Sequence, residues 1–449
     1  MNAPHLIVLS VPGLRRGDID RAKTPTLFAW ANRGAIAELT PTFPCVTSCV
    51  QASMFTGSPP ARHGVIANGF FDRERRAVAF WVGKNDVVTG EPVWDAMRAR
   101  RSGLTSAVWH AQNIKGASAD YIVTPAPIHE ADGSTKPWCY SKPGGLYEEM
   151  LATLGHFPLQ HYWGPHSNIE STKWILRAAV WLIEKHRPNF HWIYVPHLDY
   201  AGQKFGPDSS QAGAALGELD KALAEFAAAV AESSIGKVVK YLVTGEYALT
   251  PVRGVVYPNR ILREAGLLDV RECNGTELID FESSQAFAMV DHQFAHLILR
   301  HPTKSIAERV AGLFRARKGV VDVCAGEERT RMEMNHPRSG DVILVAEDDH
   351  WFAYYWWLQD RTAPPFARTV DIHQKPGYDP VELFFDPATR GIPLNAELVR
   401  GSHGVPATAP RHRSVILSSA PLPKFDTAAS LRDVNVKRIS LALMGCLDA

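Results

Sequence analysis

The sequence predicts an α/β fold: a central, mostly parallel sheet between layers of helices, interrupted by a cap-like insertion. Two observations carry this reading. Continuous apolar runs that end in polar or turn residues recur along the chain, as HLIVLSV, TSAVWH, HWIYVPHLDY, VVKYLVTGEY, AHLILR and GDVILVAEDD. Strands buried on both faces of a parallel sheet have this composition. The intervals between them carry helical periodicity, and alternation of the two element types gives a layered α/β architecture.

Taken in order, MNAPHLIVLSVPGLRR opens the chain. Its apolar run is shorter than a secretory core and has no basic start, so it reads as a first strand rather than a leader. TPTLFAWANRG follows as a helix between a capping Thr and a terminal Gly. PTFPCVTSCVQASMFTG is an apolar approach to Thr47 and then a helix ending near Gly57. STKWILRAAVWLIEKHR is amphipathic, and AGAALGELDKALAEFAAAVAES is a long helix rich in good helix formers. The final stretch from Pro421 reads as a last surface helix.

Two segments break the alternation. PAPIHEADGSTKPWCYSKPGG and HFPLQHYWGPHS are rich in Pro, Gly, His and aromatic residues. They suggest an inserted cap over 125–168, between core segments 1–124 and 169–326. The remainder, 327–449, reads as strands, ordered loops and the last helix returning to the core.

With 48 Lys and Arg against 47 Asp and Glu, the net charge is +1. That balance gives no broad attraction to nucleic-acid polymers or anionic membranes, so the expected partner is a small ester or anion bound locally. No run approaches the roughly 20 apolar residues of a membrane span. Six cysteines lie scattered without paired zinc spacing, which suits a reducing cytoplasm. The sequence leaves the oligomeric state open.

In layered α/β folds chemistry collects just past the carboxyl ends of strands, which directs attention to SVPGL, PHLDYAGQ and VTGEYAL, and other stretches carry candidate residues of their own. Thr47 stands at a helix start, where a hydroxyl serves either as a cap or as a nucleophile toward an anion held by the helix N-terminus. His197 and Asp199 end a buried strand, two positions apart and on one face if the strand stays regular. They fit either a metal pair or a satisfied histidine beside a turn residue. Glu246 follows YLVTG at another strand end, as a ligand or a loop carboxylate. His403 lies between glycines in RGSHGVP. VDIHQKPGYDP sets Asp371, His373 and Lys375 along one side of an extended segment, for a metal, an anion or an internal ion pair. The histidines of VDHQFAH, His292 and His296, lie inside a strand pattern and read as core residues.

Together these pieces resemble the nucleotide pyrophosphatase/phosphodiesterase branch of the alkaline phosphatase superfamily. FPCVTSCVQASMFTGSPPARHGVIAN is similar to the family's nucleophile segment, PHLDYAGQKFGPDS to its D-x-x-G-H-x-x-G-P, and GSHG to its C-terminal histidine motif, all in the family's order. The resemblance implies an alkaline phosphatase-like fold, Thr47 as nucleophile, and two zinc-like ions. The departures fall on the ions and, at Val50, on the family's Asn that helps hold the phosphoryl oxygen. Pro12 stands where the family has Asp, Val50 where it has Asn, Gln203 where it has His, and GEYA replaces S-D-H-G, giving Glu246 and Tyr247. The ion next to Thr47 would keep only that hydroxyl and Glu246, a poor zinc site, so one divalent ion, zinc by type, is expected rather than two, on Asp199 and His403, with Gln203 a weak ligand and Asp371 or His373 completing it. Gln203, Tyr247 and Lys375 are expected to face the substrate. The implied activity is hydrolysis of a phosphoester or phosphodiester, less readily a sulfate ester. The alternatives are a pseudoenzyme binding a small anion or a protein partner and, from fold analogy only, a phosphoryl-transferring isomerase or transferase.

Overall fold

The computed structural model describes residues 4–130, 135–422 and 425–447. Residues 131–134 of the expected cap-like stretch and 448–449 at the end of the chain lie outside the described residues. Nine strands form the central sheet: β1 (His5–Val11), β2 (Ala35–Thr40), β3 (Ser106–Trp109), β4 (Tyr121–Pro125), β5 (Cys139–Lys142), β6 (Phe190–Tyr194), β7 (Val239–Gly245), β8 (Ser414–Ser418) and β9 (Leu431–Arg432). Their spatial order is β9-β2-β8-β7-β1-β6-β3-β4-β5. β7, β1, β6, β3 and β4 run parallel, while β8 and β5 are antiparallel to their neighbours.

The alternation of side chains along each strand builds two cores. Leu6 and Val8 of β1 point into one with Val50, Met54, Phe55, Trp192 and Leu242, whereas Ile7, Leu9 and Val11 point into the other with Trp174, Leu182, Leu219 and Val243. Each parallel strand is therefore covered on both faces, which is why its sequence shows an unbroken apolar run. The helices that cover them include α1 (Pro25–Arg33), α2 (Thr47–Thr56), α3 (Ile169–His186), α4 (His197–Phe205), α5 (Ser210–Glu232) and α6 (Asn435–Leu443). Among the described residues no helix is long and apolar enough to cross a membrane.

α2 ends where the sequence expects. Gly57 adopts φ +69° and its N–H donates to the Ser53 carbonyl, a left-handed stop that favours glycine. A second, four-stranded antiparallel sheet carries Ala286–Asp291, Phe294–Leu299, Val342–Ala346 and Val320–Ala325. It packs in a third core with Trp351, Tyr354, Trp356 and Trp357, which also takes Val46, Cys49 and Ala52 from the start of α2. α2 is thus wedged between the main sheet and this second lobe, and that fixes where its first residue lies.

Two local expectations are corrected. Asp199 does not end a strand: β6 stops at Tyr194, and α4 begins at His197 behind Pro196. The side-chain period changes there from 2 to 3.6, so His197 and Asp199 diverge, and His197 Nε2 instead lies 3.0 Å from Glu218 Oε2 on α5. Nor is the stretch around Asp371 extended. It forms turns, with the Asp371 carboxylate accepting the N–H groups of His373 and Gln374.

Candidate active site

Parallel strands place their following loops together at one end of the sheet. Ser10 and Val11 of β1 lie in register with Thr244 and Gly245 of β7, and Ser10 with Tyr194 of β6. Glu246 and Tyr247 therefore emerge beside the turn after β1 and the approach to α4. Across this end stands α2, whose N-cap is Val46, not Thr47, and whose first turn receives no cap from its own chain start. Asn68 Oδ1 takes the Ser48 N–H from outside at 3.0 Å. The Thr47 hydroxyl, free of capping, lies 3.0 Å from the Tyr247 hydroxyl, which donates to Asp199 Oδ2 at 3.3 Å.

Glu246 is held from two sides, as Ser10 Oγ and Gln51 Nε2 both donate to its Oε1 at 2.7 Å. Gln51 is in turn fixed by the Gln112 N–H, 2.7 Å from its Oε1. At the turn after β1, where Pro12 offers no side-chain donor, the Gly13 N–H donates to the Tyr247 carbonyl at 3.0 Å. His403 follows a short strand, Gly401–Ser402, paired with Thr250–Pro251. Its Nδ1–H donates to the Cys45 carbonyl at 2.7 Å, and its ring stacks on Tyr247. Gln203 Oε1 accepts the Tyr378 hydroxyl at 2.9 Å.

Thr47, Asp199, Gln203, Glu246, Tyr247 and His403 are all buried, and the structure brings them together. Burial dominates their electrostatics. It pushes Asp199 up to about 7 and Glu246 up to about 8, against the opposing hydrogen bonds from Tyr247 to the former and from Gln51 and Ser10 to the latter. It holds His403 well below the ordinary imidazole value, hence neutral. Asp199 Oδ1, Glu246 Oε2, Gln203 Nε2 and His403 Nε2 have no hydrogen-bond partner.

The other expected residues stand apart. Lys375 is buried and engaged by Asp379 Oδ2 at 2.8 Å and Glu382 Oε1 at 2.6 Å. Asp371 is held in its own turn, and His373 Nδ1 lies 3.4 Å from the Phe80 carbonyl, on an exposed stretch. Residues that sequence reasoning passed over are also present, Ser10, Gln51, Asn68 and Asp291, and His292, expected as a core histidine, is buried with its ring 3.7 Å from that of His403. The polar triplet Asp291, His292 and Gln293 between two apolar runs was their available signal.

At the positions where the resemblance implies further ion ligands, Pro12 supplies no ligand atom, Tyr247 is engaged with Thr47 and Asp199, and Gln203 presents an oxygen already bonded to Tyr378. The unpartnered Asp199 Oδ1 and His403 Nε2 are donors of the right chemistry for one ion. Among the described residues, three acidic or imidazole ligand atoms close to within 4.8 Å of one another at Glu347, Asp349 and His350, a group formed by none of the expected ligands.

A family model described as type I phosphodiesterase/nucleotide pyrophosphatase matches residues 6–379. An uncharacterized pyrophosphatase/phosphodiesterase of Schizosaccharomyces pombe is 26% identical over 262 residues, 55% of this chain and 45% of the yeast protein. The match thus spans less than half of that relative's length. Among solved structures, phosphonoacetate hydrolase from Sinorhizobium meliloti 1021 in complex with phosphonoformate superposes with a TM-score of 0.64 at 17% identity, covering 98% of this chain and 96% of that one. Murine ectonucleotide pyrophosphatase/phosphodiesterase 5, inactive and in complex with AMP, gives 0.61 at 15% identity, covering 99% and 95%. At these identities the structural likeness establishes the alkaline phosphatase-like fold.

Proposed function

The chain belongs to the type I phosphodiesterase/nucleotide pyrophosphatase family, and on that premise we propose that it hydrolyses a small phosphoester or phosphodiester with Thr47 as the attacking group. One observation carries this reading: the Thr47 hydroxyl is released from capping and joined through the Tyr247 phenol to the Asp199 carboxyl. The murine neighbour was solved as an inactive threonine-to-alanine variant with AMP bound, which supports a threonine in this role.

In the proposed reaction Thr47 Oγ forms a bond to phosphorus as the ester oxygen leaves with the electron pair. Water then attacks the phosphothreonine and restores the hydroxyl. The start of α2 turns its dipole and N–H groups toward the phosphoryl oxygens. The Asp199 carboxylate accepts the Tyr247 hydroxyl that bonds Thr47, which gives the Thr47 proton a path away from the attacking oxygen. Glu246, largely protonated, can donate a hydrogen bond to a phosphoryl oxygen from its unpartnered Oε2. One divalent ion, zinc by its nitrogen and carboxylate donors, would sit against Asp199 and His403 and supply Lewis acidity to a phosphoryl oxygen. The free cysteines, five of six buried, accord with a cytoplasmic setting.

A second reading, a binder that no longer turns over, is favoured by one feature: Thr47 is 3% exposed and Tyr247 1%, so an ester enters only if Tyr247 moves. Release of nitrophenol from mono- and bis-p-nitrophenyl phosphate and from p-nitrophenyl sulfate, with Zn²⁺, Mn²⁺, Co²⁺ or Mg²⁺, separates the two. Turnover that Thr47→Ala abolishes supports the hydrolase. Saturable binding of inorganic phosphate without turnover supports the binder.

A further inference from the structure

Ser10, Gln51 and Glu246 meet at the end of the sheet beneath α2, and each is 0% exposed. Alternation along β1 turns Ser10 to the face of Leu6 and Val8, the face that α2 covers with Val50 and Met54. Gln51 stands four residues after Thr47, so the two side chains share one side of the helix. Glu246 leaves β7 behind Gly245, where any side chain would collide with the Leu14 carbonyl oxygen, so the close approach there needs glycine.

Their hydrogen bonds run in one direction. The Gln112 N–H donates to Gln51 Oε1 at 2.7 Å, which fixes the amide with its Nε2 turned to Glu246. Gln51 Nε2 and Ser10 Oγ then both donate to Glu246 Oε1 at 2.7 Å. Oε1 is thereby the accepting oxygen of the carboxyl. Oε2 is buried and has no hydrogen-bond partner among the described residues. No cation stands against its charge among them either, where the neighbouring charge is that of Asp199. Burial therefore favours the protonated carboxyl, and the proton falls on Oε2 because two donors already fill Oε1. A network placed only for stability would satisfy both oxygens, since a bare polar atom in a dry core is costly.

By resemblance an ion belongs beside Thr47, and the residues here do not fit one. Pro12 has no ligand atom, the Tyr247 hydroxyl is engaged by Thr47 and Asp199, and Glu246 Oε1 is taken by its two donors. The Thr47 hydroxyl and Glu246 Oε2 remain, short of the usual zinc set. What this position offers an anion instead is an O–H group, anchored to the side of α2 that carries Thr47.

We propose that Ser10 and Gln51 are positioning residues that hold Glu246 as a hydrogen-bond donor to the phosphoryl group, in the place beside Thr47 where the resemblance has an ion. This rests on the hydrolase reading above. Glu246 touches the phosphoryl oxygen, and Ser10 and Gln51 act through Glu246 alone. The contact strengthens as negative charge gathers on that oxygen, so it stabilises the transition state more than the bound ester.

The test is steady-state hydrolysis of bis-p-nitrophenyl phosphate by the full, zinc-loaded chain, with bound zinc read by elemental analysis. Glu246→Gln keeps an oxygen for Ser10 and Gln51 and puts an N–H in place of Oε2, so kcat should fall by less than about 10-fold, with zinc at the wild-type level. Glu246→Met has no donor and should lose about 100-fold or more in kcat. Ser10→Ala and Gln51→Met should each lower kcat by about 10-fold with little change in KM, and should lower it no further in the Glu246→Met background, a non-additivity that a structural role would not give. Glu246→Gln as inactive as Glu246→Met overturns the inference, and zinc lost with it returns Glu246 to an ion. Wild-type kcat in Glu246→Met, or additive losses in the double variants, also overturns it. If Thr47→Ala stays active, or wild type does not turn over, the hydrolase reading fails, and binding of inorganic phosphate decides: Glu246→Met should bind it about 10-fold more weakly than Glu246→Gln, and equal affinity refutes the donor. Should Glu246→Met fail to fold, Glu246→Gln is compared with Thr47→Ala, and activity as low as in the latter refutes the assignment.

Discussion

The rings of Tyr247 and His403 lie face to face, with centroids 3.6 Å apart and 9° between their planes. By resemblance the family has a metal-binding histidine where this chain has Tyr247, and here a phenol occupies that place, covers the remaining imidazole and bonds the threonine. The same contact closes the site and connects its hydroxyl to Asp199.

If Thr47 is the attacking group, Thr47→Ala should reduce phosphoester turnover by at least about 100-fold, while Thr47→Ser, which keeps the hydroxyl, should retain measurable activity. Both should melt within a few degrees of wild type, since the residue neither caps α2 nor fills a large volume. Equal activity in Thr47→Ala and wild type would remove Thr47 from the mechanism.

Thr47, Asp199, Glu246 and His403 were legible because each sits at a helix start or just past a strand, where local sequence marks an element boundary, whereas Gln203, inside α4, and Tyr247 were reached only through the family resemblance. His292 was not legible as part of the site. It was read as a core residue within a strand pattern, and the polar triplet Asp291–Gln293 is a weak sign of a turn because a histidine rather than a glycine or asparagine takes the left-handed position. Asp371 and His373 misled in the opposite sense. An Asp two residues before a His has the composition of a ligand pair, yet an aspartate that bonds the N–H groups following it makes a turn with the same letters. The central sheet was readable for a simpler reason: burial on both faces leaves little room for polar residues.

Restoring the family's imidazoles tests what the substitutions mean. Gln203→His together with Tyr247→His should raise bound zinc above the wild-type content, because two neutral oxygens give way to nitrogen ligands beside Asp199. Elemental analysis after zinc loading and desalting measures it. No gain in zinc from a folded double variant would mean that the surrounding shell, and not these two side chains, denies the second ion.

Stability should depend on pH in a defined direction. Burial raises Glu246 from 4.5 to about 8 and Asp433 from 3.8 to about 6. Each stays protonated in the fold where the unfolded chain is ionised, so each contributes stability that is complete below pH 4 and lost as pH rises, through about 6 for Asp433 and about 8 for Glu246. Buried His63, His110 and His191 act oppositely. Burial lowers them from 6.5 to about 3, giving stability that is present above 6.5 and lost as pH falls toward 3. Above pH 6.5 the histidines contribute no slope, and the melting temperature of metal-free protein should fall from there to about pH 8.5. Asp199 and Asp291, raised by burial to about 7, share the first part of that fall; Glu246→Gln, a neutral isostere, should remove the part that continues to about 8, and an unchanged slope in this variant would contradict the assignment.

Lys375 tests whether a buried cation in this chain binds substrate or secures the fold. Its ammonium lies between Asp379 and Glu382, and Glu382 also accepts the Trp163 indole N–H at 2.5 Å and the Asp371 N–H at 3.0 Å. All three charged groups are buried. Lys375→Met would leave two carboxylates close together in a dry environment, and removing one partner of a buried ion pair costs about 3–5 kcal/mol. Urea unfolding should show a loss of that order. Lys375→Met with Asp379→Asn and Glu382→Gln should recover part of it, because the uncompensated charges are gone. The Michaelis constant for the phosphoester in any folded variant should stay near the wild-type value, since the ammonium is buried and its charge is already met by two carboxylates. A large rise in that constant with unchanged stability would return Lys375 to the substrate.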